Sequence, residues 1–502
     1  MIRRQFAIYK HILFAGIYSM LFIGCQKTEK KDSQLPNIIY ILADDLGYGE
    51  LGAYGQTKIK TPNLDRLAAQ GMRFTQHYTG APVCAPSRYM FLTGVHAGHA
   101  YIRGNYELGQ FSDDKEGGQM PIPETTPTLA KMLKRAGYQT AMVGKWGLGV
   151  SGTTGSPLLQ GFDYYYGYLD QKQAHNYYPT HLWENDKIDP LDNHYFLVHN
   201  KIKEGNSQAA FDQFKGKDYA PDRMINKAIK FIDTTTTEVP FFLYYPSPIP
   251  HVSLQVPDSL VEQYRDKFEE KPYYGNKGYT AHQYPRSAYA AMITRLDSEV
   301  GKIWERVKVR GQEENTLILF SSDNGPTFAG GVDASFFKSA AEFRGLKMDV
   351  YEGGIRIPFI AYWKNKIEAG KISDLVSGHW DMYNTFAELT GQSSSSADGI
   401  SILPELLGKK GQKKHDFIYF EYPEKNGQIA VRMGDWKGVK VNMKTDPNVQ
   451  WELYNLKTDP QEQHDLAALH PKIISKIDSI QLLSHRHPHI KEWEFIDPKF
   501  KK

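Results

Sequence analysis

Two acidic pairs frame the chemistry open to this chain. Asp44-Asp45 follows the apolar run Asn37 to Ala43, and Asp323-Asn324 follows the apolar run Thr316 to Ser322. Together they offer four oxygen-bearing side chains and no Cys or His. Such a set favours a hard cation, Ca²⁺ or Mg²⁺. Either pair alone reads more readily as a strand-end turn or helix cap than as a ligand set; their shared position at the ends of apolar runs modestly favours ligation. Two more runs end in reactive groups. Thr140 to Val143 leads to Gly144-Lys145, and Phe241 to Tyr245 leads through a proline-broken loop to His251. The chain has two cysteines, Cys25 and Cys84. If Cys25 is modified near the N-terminus, Cys84 has no intrachain partner. A lone Cys in an exported chain suggests a reactive or modified side chain, although a buried small residue is the plainer reading.

These residues need elements to gather them. Continuous apolar runs of this length suit strands buried on both faces of a parallel sheet. Helical patterns lie between them. Thr61 to Gly71 has a capping Thr, a Pro in the first turn and a terminal Gly, and Thr126 to Gly137 repeats that plan. Ala288 to Val309 reads as a long amphipathic helix. Alternating strands and helices predict an α/β fold: a doubly wound, mostly parallel central sheet. In such sheets ligands bind beyond the carboxyl ends of the strands. Asp44, Asp45, Lys145, His251, Asp323 and Asn324 then meet on one edge. Phe417 to Tyr422, Gln428 to Met433, Trp436 to Val441 and Trp451 to Leu456 read as short antiparallel strands, and Pro471 to Leu483 as a helix. The expected organisation is a main domain over 36–400 and a smaller α+β subdomain over 401–502.

The stretch Cys84-Ala85-Pro86-Ser87-Arg88, followed by Leu92-Thr93-Gly94, resembles the C-x-P-S-R signature of the formylglycine-dependent sulfatases, with its downstream L-T-G. The likeness extends from Asn37 to about Leu466. Gly144-Lys145-Trp146-Gly147-Leu148-Gly149 resembles the family's G-K-W-H-L-G block. Arg344-Gly345-Leu346-Lys347 with Tyr351-Glu352-Gly353-Gly354-Ile355-Arg356-Ile357-Pro358 resembles R-G-x-K…Y-E-G-G-x-R-x-P. Glu452-Leu453-Tyr454-Asn455-Leu456…Asp459-Pro460 resembles a C-terminal E-L-Y-N-L…D-P stretch.

The resemblance implies an alkaline-phosphatase-like fold and hydrolysis of a sulfate ester. It implies that a separate maturating enzyme oxidises Cys84 to Cα-formylglycine. It also implies one Ca²⁺ held by Asp44, Asp45, Asp323, Asn324 and the modified residue 84. The hydrated aldehyde is a geminal diol. One oxygen attacks sulfur; after the alcohol leaves, the other hydroxyl loses its proton and expels sulfate. A plain Ser would stay trapped as a sulfate ester. Arg88, Lys145, Lys347 and the metal can stabilise charge on the sulfuryl oxygens. By the same resemblance, His251 and Lys347 are the candidates near the leaving oxygen, which needs a general acid. One position departs from the family: Gly147 stands where a His is usual, beside the formylglycine. His175, in Gln171-Lys172-Gln173-Ala174-His175-Asn176-Tyr177-Tyr178, is the expected replacement, with sugar binding as its alternative role. That stretch and K-W-G-L-G resemble a bacterial arylsulfatase subgroup with members acting on sulfated galactose or N-acetylgalactosamine. Arg103 is a further candidate for holding the sugar, with a surface salt bridge as the other reading. Glu352 and Arg356 read as a buried structural pair, and His96 and His99 as helix-end caps.

The N-terminus reads as a targeting segment. Arg3, Arg4 and Lys10 precede an apolar run from Ile12 to Gly24, too short to span a bilayer comfortably. Gly24-Cys25 resembles a bacterial lipobox, so residues 1–24 are expected to be cleaved, Cys25 to carry lipid, and 25–35 to act as a tether. The exported chain would then be membrane-attached, in the periplasm or at the cell surface. Losing 1–24 removes three positive charges and brings the net charge from +3 to zero. No basic excess remains to hold nucleic acid. The expected partners are a sulfated glycan, the maturating enzyme and the membrane. Rival readings are a formylglycine-dependent phosphodiesterase or phosphonate hydrolase, and a non-catalytic lipoprotein binding sulfated glycans. A zinc phosphatase is disfavoured, since no His neighbours Asp44 or Asp323 in sequence.

Overall fold

The apolar runs become the middle of a large twisted sheet. The structure is a computed structural model describing residues 35–112, 115–394, 398–446 and 448–497; the leader, Cys25 and nearly all of the tether lie outside these. Eleven strands form the large sheet. They are β1 (Asn37–Ala43), β2 (Met72–Tyr78), β3 (Gln139–Lys145), β4 (Tyr164–Tyr168), β5 (His181–Glu184), β6 (Lys187–Pro190), β7 (Phe241–Pro246), β8 (Thr316–Ser322), β9 (Arg356–Tyr362), β10 (Lys371–Ser373) and β11 (Ser377–Gly378). The order is β10-β2-β9-β8-β1-β7-β3-β4-β5-β6, with β11 alongside β2. The central four, β8-β1-β7-β3, are mutually parallel. Every residue of β1, β7 and β8 is buried, which is why their sequences carry no polar alternation. β9 runs antiparallel to both β2 and β8, and β5 and β6 close one edge as a hairpin.

Helices cover the sheet. The principal ones are α1 (Pro62–Gln70), α2 (Cys84–Thr93), α3 (Leu129–Arg135), α4 (Ala220–Thr234), α5 (Pro285–Val309) and α6 (Asp381–Thr390). α1 starts on Pro62 as its sequence predicts. α3 starts later than the Thr126 signal suggests: Thr128 is the cap, its side chain accepting from Lys131 N, and Pro127 stays outside the helix. α5 begins three residues before the predicted Ala288, again on a proline. The antiparallel expectation for the C-terminal part holds, with β12 (Ile418–Tyr422), β13 (Gln428–Met433), β14 (Trp436–Lys440) and β15 (Glu452–Asn455) in sequential order, followed by α7 (Pro471–Ser484). Residues 36–502 form one compact unit. One apolar cluster links this sheet to the main body, uniting Tyr78, Val350 and Trp380 with Phe420, Val439 and Tyr454.

Candidate active site

Strand register alone brings the two acidic pairs together. β1 and β8 pair in parallel with Ala43 opposite Ser322, so Asp44 and Asp323 leave the sheet side by side. Asp323 N donates to Ala43 O (2.9 Å), and Asp45 N donates to Asp323 Oδ1 (3.0 Å). Asp45 takes the left-handed conformation, φ 66°, an uncommon one for a residue other than Gly, Asn or Asp. On the other side of β1, β7 feeds the loop to His251, whose ring nitrogen Nε2 lies 3.6 Å from Asp45 Oδ2. β3 ends on Lys145, whose Nζ donates to Asp44 Oδ2 (2.6 Å). The fold therefore brings together the edge predicted from strand ends, His251 included.

Cys84 opens α2, a helix whose ten residues are all buried. Its Sγ lies 3.3 Å from Asp44 Oδ1, 3.9 Å from Asp45 Oδ1 and 3.6 Å from Lys347 Nζ. Lys347 arrives on a loop and also donates to Asp45 Oδ2 (2.8 Å). Arg88, one turn along α2, donates from Nε and Nη2 to Asp323 Oδ2 (3.0 and 2.8 Å) and from Nη1 to Lys145 O (2.7 Å). Ser87 completes the support: its hydroxyl meets Thr79 Oγ1 at 2.5 Å and His379 Nδ1 at 3.1 Å, and Thr79 Oγ1 donates to Asp323 O. Neither Thr79 nor His379 carries a local signal of this role in the sequence.

Three carboxylates thus face three cations in a buried space. Asp44 sits below the usual carboxylate range, because Lys145, His251, Arg88 and Lys347 together outweigh its burial. Burial and the neighbouring Asp44 push Asp323 up to about 7, against the pull of Arg88. Burial raises Asp45 as well. The ammonium groups of Lys145 and Lys347 are held above their usual value by Asp44 and Asp45 respectively, in spite of burial. Burial, then Asp323 and Asp44, push the Cys84 thiol well up, so it is a poor thiolate nucleophile as it stands. Burial lowers His251 and His175 well below 6.5, leaving both rings neutral. The donor set fits a dication on one specific ground: Asn324 Oδ1 is buried with no hydrogen-bond partner among the described residues, while its Nδ2 donates to Asp45 Oδ1 (2.7 Å). Buried acceptors are rarely left so. Asp44, Asp45, Asp323 and Asn324 would hold the ion beside residue 84.

Two expectations are corrected by the geometry. The space left by Gly147 is filled by Gln171 and not by His175. A Cβ at position 147 would lie 2.5 Å from Gln171 Cγ, and the glycine φ is 75°. His175 instead stacks on His251 (centroids 4.9 Å apart, 8° between planes) and meets Tyr279 and His199 edge-on. Arg103 is not brought to the site. It is 2% exposed, pairs with Glu421 of the small sheet, and donates to Ala100 O and Gly98 O (both 2.9 Å). All three of its guanidinium nitrogens are engaged within the protein. Glu352 and Arg356 do form the expected pair, at 3.3 Å. His96 and His99 converge on Asp398.

Comparison with known proteins agrees with this geometry. A family model described as Sulfatase matches residues 36–392, and one described as N-sulphoglucosamine sulphohydrolase, C-terminal, matches 346–481. The chain is 31% identical to an N-acetylgalactosamine-6-O-sulfatase of Bacteroides thetaiotaomicron, over 92% of this chain and 96% of that protein. It is 30% identical to the human N-acetylgalactosamine-6-sulfatase, over 77% of this chain and 68% of that protein. Among solved structures it resembles Ps i-CgsB in complex with k-i-k-neocarrahexaose, at 27% identity and TM-score 0.73, covering 93% of this chain and 96% of that one. The phosphonate monoester hydrolase of Agrobacterium radiobacter shares the fold at 17% identity and TM-score 0.61, covering 89% and 95%.

Proposed function

The chain belongs to the sulfatase family and is a sulfuric ester hydrolase, and from that premise we propose that it desulfates a glycan bearing galactose or N-acetylgalactosamine sulfate, using a formylglycine made from Cys84 and one Ca²⁺. The observation that carries the proposal is the position of Cys84. It stands at the head of a buried helix, within hydrogen-bond reach of Asp44 and beside Lys347, where the ends of four parallel strands converge. The N-acetylgalactosamine-6-sulfatase relatives favour a 6-O-sulfate on N-acetylgalactosamine.

Bound at Asp44, Asp45, Asp323 and Asn324, Ca²⁺ would supply Lewis acidity towards a sulfuryl oxygen. The protein's own groups do the rest. Arg88 fixes Asp323 and the Lys145 carbonyl, and so braces the ligand set. Lys347, with its ammonium 3.6 Å from the Cys84 sulfur, is placed to meet a sulfuryl oxygen or to protonate the leaving oxygen. His251 bonds Val252 O through Nδ1, so its Nε2 is the nitrogen free to exchange a proton on the Asp45 side. Cys84 is 1% exposed, so the maturating enzyme must act on the chain before it folds. Lipid on Cys25 would hold the exported enzyme at a bacterial membrane.

The test is a desulfation screen of defined sulfated mono- and disaccharides with matured protein, including a phosphodiester and a phosphonate ester. Sulfate release from a galactose-type sugar is expected, and Cys84→Ala should fold and lose activity by several orders of magnitude. Peptide mass spectrometry should find aldehyde or its hydrate at position 84. Full activity with an unmodified thiol would overturn the mechanism, and turnover confined to the phosphorus esters would overturn the function.

A further inference from the structure

Past the last long helix the chain turns back and brings two histidines and a carboxylate to one point. α7 ends at Ser484, and His485 follows in extended backbone (φ −73°, ψ 135°). Arg486 N then donates to Gly98 O (3.1 Å). In extended chain, residues two apart project from the same side, so His485 and His487 face one way. Glu494 meets them there. Its Oε2 lies 3.2 Å from His485 Nε2 and 2.9 Å from His487 Nδ1. One nitrogen of each ring and one Glu494 oxygen all lie within 4.8 Å of one another. Ligands bound to a tetrahedral zinc at 2.0–2.1 Å stand about 3.3 Å apart, so both carboxylate–imidazole separations are already close to that size.

The groups behind these three atoms fix their direction. Glu494 Oε1 accepts from Ile496 N and Asp497 N (both 2.9 Å), which turns Oε2 towards the rings. His485 Nδ1 lies 2.9 Å from Glu421 Oε2. Glu421 is buried, accepts from Tyr419 Oη (3.0 Å) and pairs with Arg103. A buried carboxylate on one ring nitrogen leaves the other nitrogen aimed at a cation, and proteins orient metal-bound imidazoles in this way. The His487 side chain is 47% exposed, so water can reach a remaining coordination position. Two imidazoles and one carboxylate suit a transition dication, whereas the all-oxygen set at Asp44, Asp45, Asp323 and Asn324 suits Ca²⁺.

We propose that His485, His487 and Glu494 bind one zinc ion, which fastens the C-terminal segment to the body of the protein. The inference stands apart from the sulfatase reading. The ion takes the place of the protons that otherwise join the two rings to Glu494, and its binding releases them. The segment it fastens leans on the loop that follows α2. His489 stacks on Tyr101 (centroids 3.7 Å apart, 6° between planes), and Trp493 meets Tyr106 edge-on (5.8 Å). Asn105 of the same loop accepts at Oδ1 from Ala85 N (3.1 Å), next to Cys84. The site supplies no group to the reactive centre; its role is to hold the end of the chain in place.

The experiment titrates Zn²⁺ calorimetrically into the tag-free full chain held in excess Ca²⁺, for wild type, His487→Ala and Glu494→Gln. Wild type should bind one equivalent, and each variant should lower that affinity by at least about tenfold. Hydrogen exchange should show residues 485–497 better protected with zinc in the wild type and unaltered by zinc in the variants. Zinc should also raise the unfolding midpoint of the wild type and not that of His487→Ala. The His487 ring is half exposed, so its removal leaves the fold intact; should Glu494→Gln fail to fold, His487→Ala carries the test alone. A wild type that binds no zinc would overturn the inference, and so would zinc bound as tightly by His487→Ala as by wild type. Binding with no added protection of 485–497 would overturn it too, since the ion would then sit elsewhere.

Discussion

Asn324 and His175 are the residues at which the site can be tested most sharply. Asn324 presents a buried carbonyl oxygen with nothing to accept from among the described residues, beside three crowded carboxylates. Replacing it with Leu removes that oxygen and keeps the volume roughly constant. Calorimetric titration of the metal-free protein with Ca²⁺ should show affinity reduced by at least about tenfold. An unchanged affinity would take Asn324 out of the ligand set, and stoichiometric zinc in the purified His487→Ala variant would contradict the all-oxygen assignment. His175 separates two roles. Since Gln171 and not His175 fills the place beside Gly147, His175→Ala should raise KM and leave kcat nearly unchanged. Accumulation of a sulfated enzyme after a burst of alcohol, seen by mass spectrometry in a single turnover, would instead restore His175 as the base that releases sulfate. A His placed at Gly147 is not a route to rescue, because the backbone there is left-handed and the side-chain space is taken.

At the scale of elements, β14 is joined to the active-site edge by one buried charge. Lys437 Nζ lies 3.0 Å from Glu352 Oε1 and 2.8 Å from Glu462 Oε1. Glu352 heads the short helix Glu352–Ile355 that feeds β9, five residues after Lys347. Burial acts to raise Glu352, but Lys437, Arg356 and Arg432 overcome it and hold the carboxyl down at about 2. Glu462, which has only a share of the same ammonium, is pushed by burial up to about 7. Lys437→Met should therefore cost about 3–5 kcal/mol by leaving buried carboxylates uncompensated, read as a lower midpoint in thermal or urea unfolding. The sign of the pH dependence follows from Glu352. A carboxyl depressed from 4.5 to about 2 stabilises the fold above its unfolded pKa, and that contribution fades as pH falls towards 2. The gap between wild type and variant should narrow between about pH 5 and pH 2. A gap independent of pH would show that packing, and not charge, is what the substitution removes.

For the whole molecule the open matter is where it works. Among the described residues no helix is long and apolar enough to cross a membrane, and the proposed attachment lies in the segment ahead of them. Cys25→Ser should release the protein from the membrane fraction or block its processing, as judged by fractionation and intact mass. Membrane retention together with normal cleavage of the leader would count against lipid at Cys25. Either result leaves the catalytic unit untouched, since residues 36–502 form a compact unit on their own.

How much of this could be read from the chain depended on the range of the forces involved. β1 and β8 have the bounds their apolar runs predicted, because burial on both faces writes itself into consecutive residues. The acidic pairs and Lys145 were legible because each lies at the end of an apolar run, whereas the Cys84 stretch was legible through its resemblance to a family signature. The antiparallel β9 wedged between β2 and β8 was not, since pairing direction is set by which strands meet and not by their composition. Nor was Arg103, whose polar residue type suited a sugar until Glu421, 318 positions away, claimed it. Gln171 in the space beside Gly147, the stacking of His175 on His251, and Lys437 between two glutamates were decided in the same way. Each depends on side chains that become neighbours only after the sheet has closed, and desolvation in that interior, which no local pattern records, then sets which charges pair and which rings stay neutral.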